Sequence, residues 1–512
     1  MLDQRRSTWC NDRYGTSVKI PRETAPVSGT GPREGKTTTT PLVIPRAVQS
    51  TKCNSVDQQC VLMFGIMFAL NALDAVSIFG VPLQWIAELC TFVTLGMLLT
   101  RARKWLLPNW RPLAWYCVLI IAVTAYHVAR GNFRRMMPAQ ATTSYDAFIG
   151  LRVLSLLAFF ATYAITYHLC DRGLHNQIVK LVVFSGFVVA LASLYFYCAQ
   201  LYGLPDMPRT RVGTNVNGLQ PTVFAYAFHR AMGTFREPSY LAAWLLLPLL
   251  LSIRTQQHWV NLYSASMGTV LLLTGSLGGI VSLVSGLVVA LFVARPTGFN
   301  IKPLIGLAVA LLAALGGFYS LARSYTGDTG SLFSTLEPRV EEILTGGVAA
   351  SDRGYVYAYF SEVSIPLVGS GLGHPALAFT DAVGAPAVTP LLSFYLNTIL
   401  AAGIILFSLI AVFLLKPLWK AFHLPGRAKT FGVYLMVALY CAWLVLFTSS
   451  GEELGLTFGF VYAFVSFEVN ISRRVGGGRL GSRMASGATQ QVAVRGLARV
   501  PIGTSSERLW YR

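Results

Sequence analysis

The chain has 512 residues, 54% of them hydrophobic and 12% charged, and a formal net charge of +19. That balance excludes an ordinary soluble domain, and repeated apolar runs of about 18 to 25 residues fit helices that cross a bilayer. The positive charge does not require nucleic acid, because Lys and Arg collect in short connections and toward both termini, as expected for a multi-pass protein oriented by its basic loops.

Residues 1–58 are rich in Arg, Thr, Pro and Gly, have no apolar core segment, and read as a disordered cytoplasmic tail. Apolar runs follow at about 61–80, 82–99, 112–129, 147–169, 178–202, 239–253, 259–275, 277–294, 303–321, 390–415, 431–449 and 454–471. The expected fold is therefore an all-α integral membrane protein of about twelve transmembrane helices, a membrane domain over 59–471 with long outer loops at 203–238 and 322–389, and a second disordered cytoplasmic tail over 472–512. Every lysine (19, 36, 52, 104, 180, 302, 416, 420 and 429) falls on one side of this arrangement, which orients both termini to the cytoplasm. The opposite connections carry acids such as Asp328, Glu341, Asp352, Asp381 and Glu452. In the second long loop, Leu336–Leu344 and Arg353–Val363 have helical spacing and predict short helices lying over the bundle.

No nucleotide-binding loop, metal-ligand cluster or Ser/His/Asp pattern is legible, and the cysteines at 60, 90, 117, 170, 198 and 441 read as small buried residues. The stretch Arg230-Ala-Met-Gly-Thr-Phe-Arg-Glu-Pro-Ser runs straight into an apolar helix, with Pro238 where a first helical turn tolerates proline. Glu237 then sits at the positive end of that helix, where an anionic ligand is also favoured. Guanidinium groups pair bidentately with phosphate oxygens, so Arg209, Arg211, Arg230, Arg236, Arg339 and Arg353 are candidates for holding a diphosphate. Arg152 lies near the end of a span, where it either serves a functional purpose or snorkels to the interface. Arg130–Arg135 reads as an anion contact or a tolerated basic loop. Asp74 and Glu468 read as interfacial and Glu88 as paired within the bundle. His374 in Gly371-Leu-Gly-His-Pro has a suitable pKa for acid–base work, with a structural or exposed histidine as the alternative.

Four features in order, from about residue 60 to 471, resemble the Wzy-type polysaccharide polymerases and O-antigen ligases of bacterial inner membranes. They are Gly233-Thr-Phe-Arg-Glu-Pro-Ser; the Leu273-Thr-Gly-Ser break between two spans; Ser351-Asp-Arg-Gly-Tyr with Pro366-Leu-Val-Gly-Ser-Gly-Leu-Gly; and Tyr395-Leu-Asn-Thr-Ile-Leu-Ala-Ala-Gly. The resemblance implies glycosyl transfer at the periplasmic face without metal or other cofactor, with undecaprenyl diphosphate as leaving group. Arg236 and Arg353 would stabilise the leaving charge, with Arg230 and Arg209 or Arg211 in support. Glu237 would accept the acceptor proton or hold Arg236 in place. The implied partners are a lipid-linked oligosaccharide, the bilayer, a chain-length regulator and export proteins, without nucleic acid.

Two departures bear on subtype. Ser276 is followed by Leu277 where the family often has arginine, and Pro390-Leu-Leu-Ser-Phe-Tyr lacks the His-Asn pair of many ligases. The expected activity is therefore polymerisation of lipid-linked repeat units into exopolysaccharide, capsule or O-antigen. The alternatives are ligation of a finished glycan, or flipping of a lipid-linked sugar; the flippase reading is disfavoured because no paired, broken inverted repeat is visible.

Overall fold

The computed structural model describes residues 55–100, 107–141, 143–202, 204–206, 230–256, 261–294, 354–449 and 454–474. All of them belong to one compact unit that starts at Ser50. Both tails beyond these bounds, the run at 303–321, Leu336–Leu344, and Arg209, Arg211, Arg339 and Arg353 lie outside the described residues.

The helices are α1 (Ser55–Asn71), α2 (Leu83–Leu99), α3 (Trp110–Arg130), α4 (Tyr145–Leu169), α5 (His175–Tyr202), α6 (Pro238–Gln256), α7 (Leu262–Leu273) and α8 (Leu277–Val293). After the gap come α9 (Gly354–Glu362), α10 (His374–Ala382), α11 (Phe394–Phe422), α12 (Phe431–Leu446) and α13 (residues 456–474). Four helical stretches are long and apolar enough to cross a membrane: Trp110–Arg130, Tyr145–Ala199, Pro238–Thr255 and Phe394–Phe422. Leu83–Leu99, Leu262–Leu273, Gly278–Val293 and Phe431–Leu446 are shorter apolar helices. The chain is thus an α-helical membrane protein.

The first apolar run is not one helix. It stops at Asn71, and residues 72–82 form a turn and a two-stranded antiparallel hairpin, β1 (Ser77–Ile78) with β2 (Val81–Pro82). The run from Tyr145 to Ala199 is two helices, because Gly173 takes φ 85°, a left-handed value that glycine adopts without steric cost, and ends the first of them.

Polar contacts sort the helix termini into two ends. Arg254 pairs with Glu468 (2.7 Å), Arg474 with Asp171 (3.4 Å), and Lys420 with Asn470 (3.2 Å) at one end. Asn71 bonds Thr457 (2.8 Å), Asp74 pairs with Arg236 (2.9 Å), and Tyr145 bonds His374 (2.8 Å) at the other. α4, α6 and α13 therefore start at the second end, where α1 finishes, and run to the first, with α4 and α5 reversing at Gly173.

Close packing rests on small residues. Gly286 of α8 lies against the α12 backbone, where an added Cβ would meet the Ala438 carbonyl at 2.4 Å. Pro248 removes a backbone donor inside α6, and Gly186 of α5 faces its ring at a spacing that leaves no room for a side chain. An aromatic cluster of Phe159, Tyr163, Phe413, Tyr440, Phe458 and Tyr462 ties α4, α11, α12 and α13 together. Of the cysteines, 60, 117, 170 and 441 are buried as expected, whereas Cys90 is half-buried and Cys198 is exposed.

α11 contains a break that its sequence pattern does not announce. Gly403 takes φ 71° and ψ 173°, so the helical ladder is interrupted between Ala402 and Ile404. The chain from Pro366 to Gly371 lies across the gap and supplies the missing partners. Ser370 and Gly371 donate their N–H groups to the Leu400 and Ala401 carbonyls (3.1 and 2.9 Å). Ile404 and Ile405 donate to the Pro366 and Leu367 carbonyls (3.1 and 3.5 Å). Backbone groups in a hydrocarbon setting must find partners inside the protein, which is why a break occurs here only with a second segment laid into it.

Candidate functional site

The Arg230–Ser239 stretch is held by the turn that follows α1. Ala75 donates its N–H to the Thr234 carbonyl (3.0 Å), and the Thr234 hydroxyl donates to the Ala72 carbonyl (2.5 Å). Asp74, only 6% exposed, receives both the Nε–H (2.9 Å) and the backbone N–H (3.4 Å) of Arg236. The Arg236 guanidinium also stacks over Tyr240, 5.1 Å from the ring centre. A buried carboxylate in such a setting must be paired, so the two residues fix one another. Gly233 permits the approach: its φ is 55°, and a Cβ there would fall 2.0 Å from the Ser193 hydroxyl.

Glu237 is the N-cap of α6. Its carbonyl accepts from the Tyr240 and Leu241 N–H groups (3.2 and 3.4 Å), and its exposed carboxylate accepts from the Ser239 hydroxyl (3.2 Å). The helix dipole favours that carboxylate, whatever further part it plays.

Arg230 is turned to another task. Its Nε–H donates to the Thr274 carbonyl (2.7 Å) and its terminal nitrogen to the Gly275 carbonyl (3.5 Å), while the Ala231 N–H reaches the Leu273 carbonyl (2.8 Å). A cation on the carbonyls that end α7 is a favourable C-terminal arrangement. Arg230 therefore ties the Arg236 stretch to the α7–α8 break, where Ser276 caps α8 through the Gly279 N–H (3.3 Å).

Arg152 is half-buried in the second turn of α4, with its guanidinium 5.0 Å from the centre of the Phe148 ring. The backbone of Gly373 passes directly over its aliphatic stem: a Cβ at Gly373 would meet Arg152 Cγ at 3.4 Å. His374 follows immediately and is fully buried. Its Nδ1 faces the Ser370 carbonyl (2.5 Å) and must donate to it, which leaves Nε2 to accept from the Tyr145 hydroxyl (2.8 Å). Burial lowers its pKa to about 4, partly offset by the Ser370 carbonyl, so the ring is neutral near pH 7. Phe133 stacks on it at 4.5 Å, and the His127 ring lies 5.9 Å away, reaching the neighbouring Gly369 backbone. Two histidines thus grip consecutive residues of the segment that fills the α11 break. His374 is thus buried with both ring nitrogens engaged.

The basic stretch after α3 is partly neutralised: Arg134 pairs with Asp146 (2.6 Å) on the exposed surface, and Arg130 stacks over Tyr126 (5.0 Å). Asp74 and Glu468 are buried in ion pairs with Arg236 and Arg254, rather than simply interfacial. Glu88 accepts from Ser155 (3.4 Å) within the bundle. Thr234, Tyr145 and His127 are residues of this region that sequence reasoning did not assign, and it read Asp74 only as interfacial; the one available signal was an acid at the edge of an apolar run in a chain whose outer stretches carry arginines.

Among the described residues, then, Arg236, Glu237, Arg230, Arg152 and His374 all lie at the same end of the bundle. Arg236 and Glu237 stand at the positive end of α6; Arg152 and His374 share the Gly373 crossing. No protein-family model matches this sequence, and no curated protein matches it.

Proposed function

We propose that the chain is a membrane glycosyltransferase that polymerises undecaprenyl-diphosphate-linked oligosaccharide repeat units into an exopolysaccharide, capsule or O-antigen chain at the periplasmic face of a bacterial inner membrane. The observation that carries this reading is Arg236, held by the buried Asp74 at the positive end of a membrane helix. A guanidinium fixed in that position meets the requirement of a reaction whose leaving group is a diphosphate: charge develops there as the glycosidic bond breaks, and donors already in place stabilise it without reorganising. Because Asp74 offsets one positive charge, the helix terminus and the remaining arginines of this end supply the net attraction for an anion. Arg353 and Arg209 or Arg211 are assigned to the same diphosphates by resemblance. Glu237 accepts the acceptor proton in this scheme or, failing that, serves only as the α6 cap.

One observation favours a second reading. The broken α11 with a glycine-rich segment laid into it is a device of transporters, whose substrate sites are built from discontinuous helices. A flippase for a lipid-linked sugar would use it. The two readings separate in cells lacking the protein and complemented with wild type or Arg236→Ala at equal membrane abundance. A polymerase leaves single lipid-linked repeat units at the outer face in the null and in the variant, whereas a ligase leaves long lipid-linked chains. A flippase leaves the units on the inner face, which would overturn the main reading.

A further inference from the structure

The hairpin Ser77–Pro82 is built against its own local preferences. Phe79 has φ 51° and Gly80 φ 79°, the pair of left-handed residues that a two-residue hairpin turn requires. Glycine fits the second position. The first is normally Asn, Asp or Gly, and a bulky aromatic there is uncommon because its Cβ crowds the backbone. The side chain gains nothing from the protein in return: Phe79 is 102% exposed, and its neighbours Ile78 and Val81 are 49% and 43% exposed. From Ala75 to Ala87 the chain has no charged residue, and Gln84 and Ser77 are its only polar side chains. A hairpin tip in water would be expected to carry polar turn residues.

We propose that this hairpin is a bilayer anchor, with Ile78, Phe79 and Val81 seated in the interfacial layer of lipid at the end of the bundle that holds Asp74 and Arg236. Continuity identifies the occupant. The hairpin joins α1 and α2, whose exposed positions from Leu62 onward are apolar: Leu62, Ile66 and Ala69 on one, Leu89, Val93 and Leu99 on the other. The apolar surface of both flanking helices runs into the tip with no exposed charge in the connecting chain, Asp74 being buried, and Trp85 lies at the start of α2, where membrane proteins place aromatic side chains at headgroup level. The root of the hairpin is equally specific. Val76 and Leu83 close it through a backbone bond (3.0 Å), and two residues earlier Asp74 grips Arg236. An anchored tip therefore sets the depth of Arg236 relative to the lipid headgroups, whichever reaction occurs there.

The test uses the full chain in lipid nanodiscs, with a nitroxide attached at Phe79→Cys and, as a reference in water, at Asn132→Cys on the exposed basic loop of the same end. Unsubstituted chain labelled in parallel supplies the background from native cysteines. Collision with oxygen, which partitions into lipid, is compared with collision with a water-soluble nickel chelate. The expected result is an oxygen-to-nickel ratio several-fold higher at position 79 than at 132. Equal ratios would place the tip in water and overturn the proposal. Low collision with both reagents at 79, with spin–spin broadening, would identify a second copy of the chain as the occupant and overturn it equally.

Discussion

The crossing of Gly369 with the α11 break offers a sharp test of the packing. The three atoms nearest to a Cβ at Gly369 are all backbone: it would stand 2.1 Å from the Ala401 carbonyl oxygen and 2.5 Å from the Gly403 nitrogen. Backbone atoms cannot rotate away, so Gly369→Ala has to push the two strands of chain about 0.9 Å further apart to restore a 3.0 Å contact. That displacement carries the Ser370–Leu400 and Gly371–Ala401 bonds, now 3.1 and 2.9 Å, beyond about 3.5 Å, where a hydrogen bond is no longer made. Leaving a buried donor or acceptor unsatisfied costs about 1–3 kcal/mol, so losing both bonds costs about 2–6 kcal/mol. The control is Gly96→Ala in α2, where nothing stands within 4 Å of the added methyl and the better helix former gains about 0.5–1 kcal/mol. Thermal unfolding of the two variants in the same detergent, followed by tryptophan emission, should show Gly369→Ala melting several degrees below wild type and Gly96→Ala at or above it. If both melt together with wild type, segment 366–371 does not complete α11 as described.

Other outcomes follow from the two ion pairs and the buried histidine. Arg254→Ala or Glu468→Ala strands one buried charge and should cost about 3–5 kcal/mol, whereas Arg254→Leu with Glu468→Leu should recover much of it. A double variant as unstable as either single one would show that the pair is not the source of the loss. His374 is held neutral, its folded pKa lowered to about 4 from an ordinary value near 6.5. The unfolded chain binds the proton first, so this contribution is complete above about pH 6.5 and declines as the pH falls toward 4. Nuclear magnetic resonance of labelled histidine should find, among the rings that stay neutral at pH 5.5, one that changes with Tyr145→Phe; a His374 ring titrating near 6.5 would contradict its burial. Asp74→Asn should reproduce the glycan phenotype of Arg236→Ala while leaving membrane abundance close to wild type. Full glycan length in the Asp74→Asn strain would mean that Arg236 does not depend on its partner.

The positions of α2 to α8 and of α11 to α13 were legible from their long apolar runs, whereas α10 was not expected. The boundaries at Leu83, Tyr145 and Pro238 fall within a few residues of the apolar runs, and a short helix does occupy Gly354–Glu362 within the expected Arg353–Val363 stretch. Two kinds of feature were not legible. Hydropathy does not distinguish a membrane helix from an apolar hairpin, so Ala72–Gly80 merged with α1. Nor does it register a break inside an apolar helix, since Ala402-Gly403 is as apolar as its neighbours and the decisive partner lies in the preceding loop. At the site, the arginines stood out by charge in an apolar chain. Their partners did not, because Asp74 is 162 residues from Arg236 and only the folded turn brings them together.

The repair of α11 is also short-range. Ser370 and Leu400 are 30 residues apart, and the filling segment leaves the ribosome just before the helix it completes. Closing so small a loop costs little entropy, and doubling its length would add only about 0.6 kcal/mol. The interrupted helix and its insert can therefore enter the bilayer as one self-sufficient hairpin, its hydrogen bonds complete before α12 and α13 have been synthesised. A discontinuity in mid-helix, which would expose naked backbone to lipid during assembly, is sealed by chain that has already arrived.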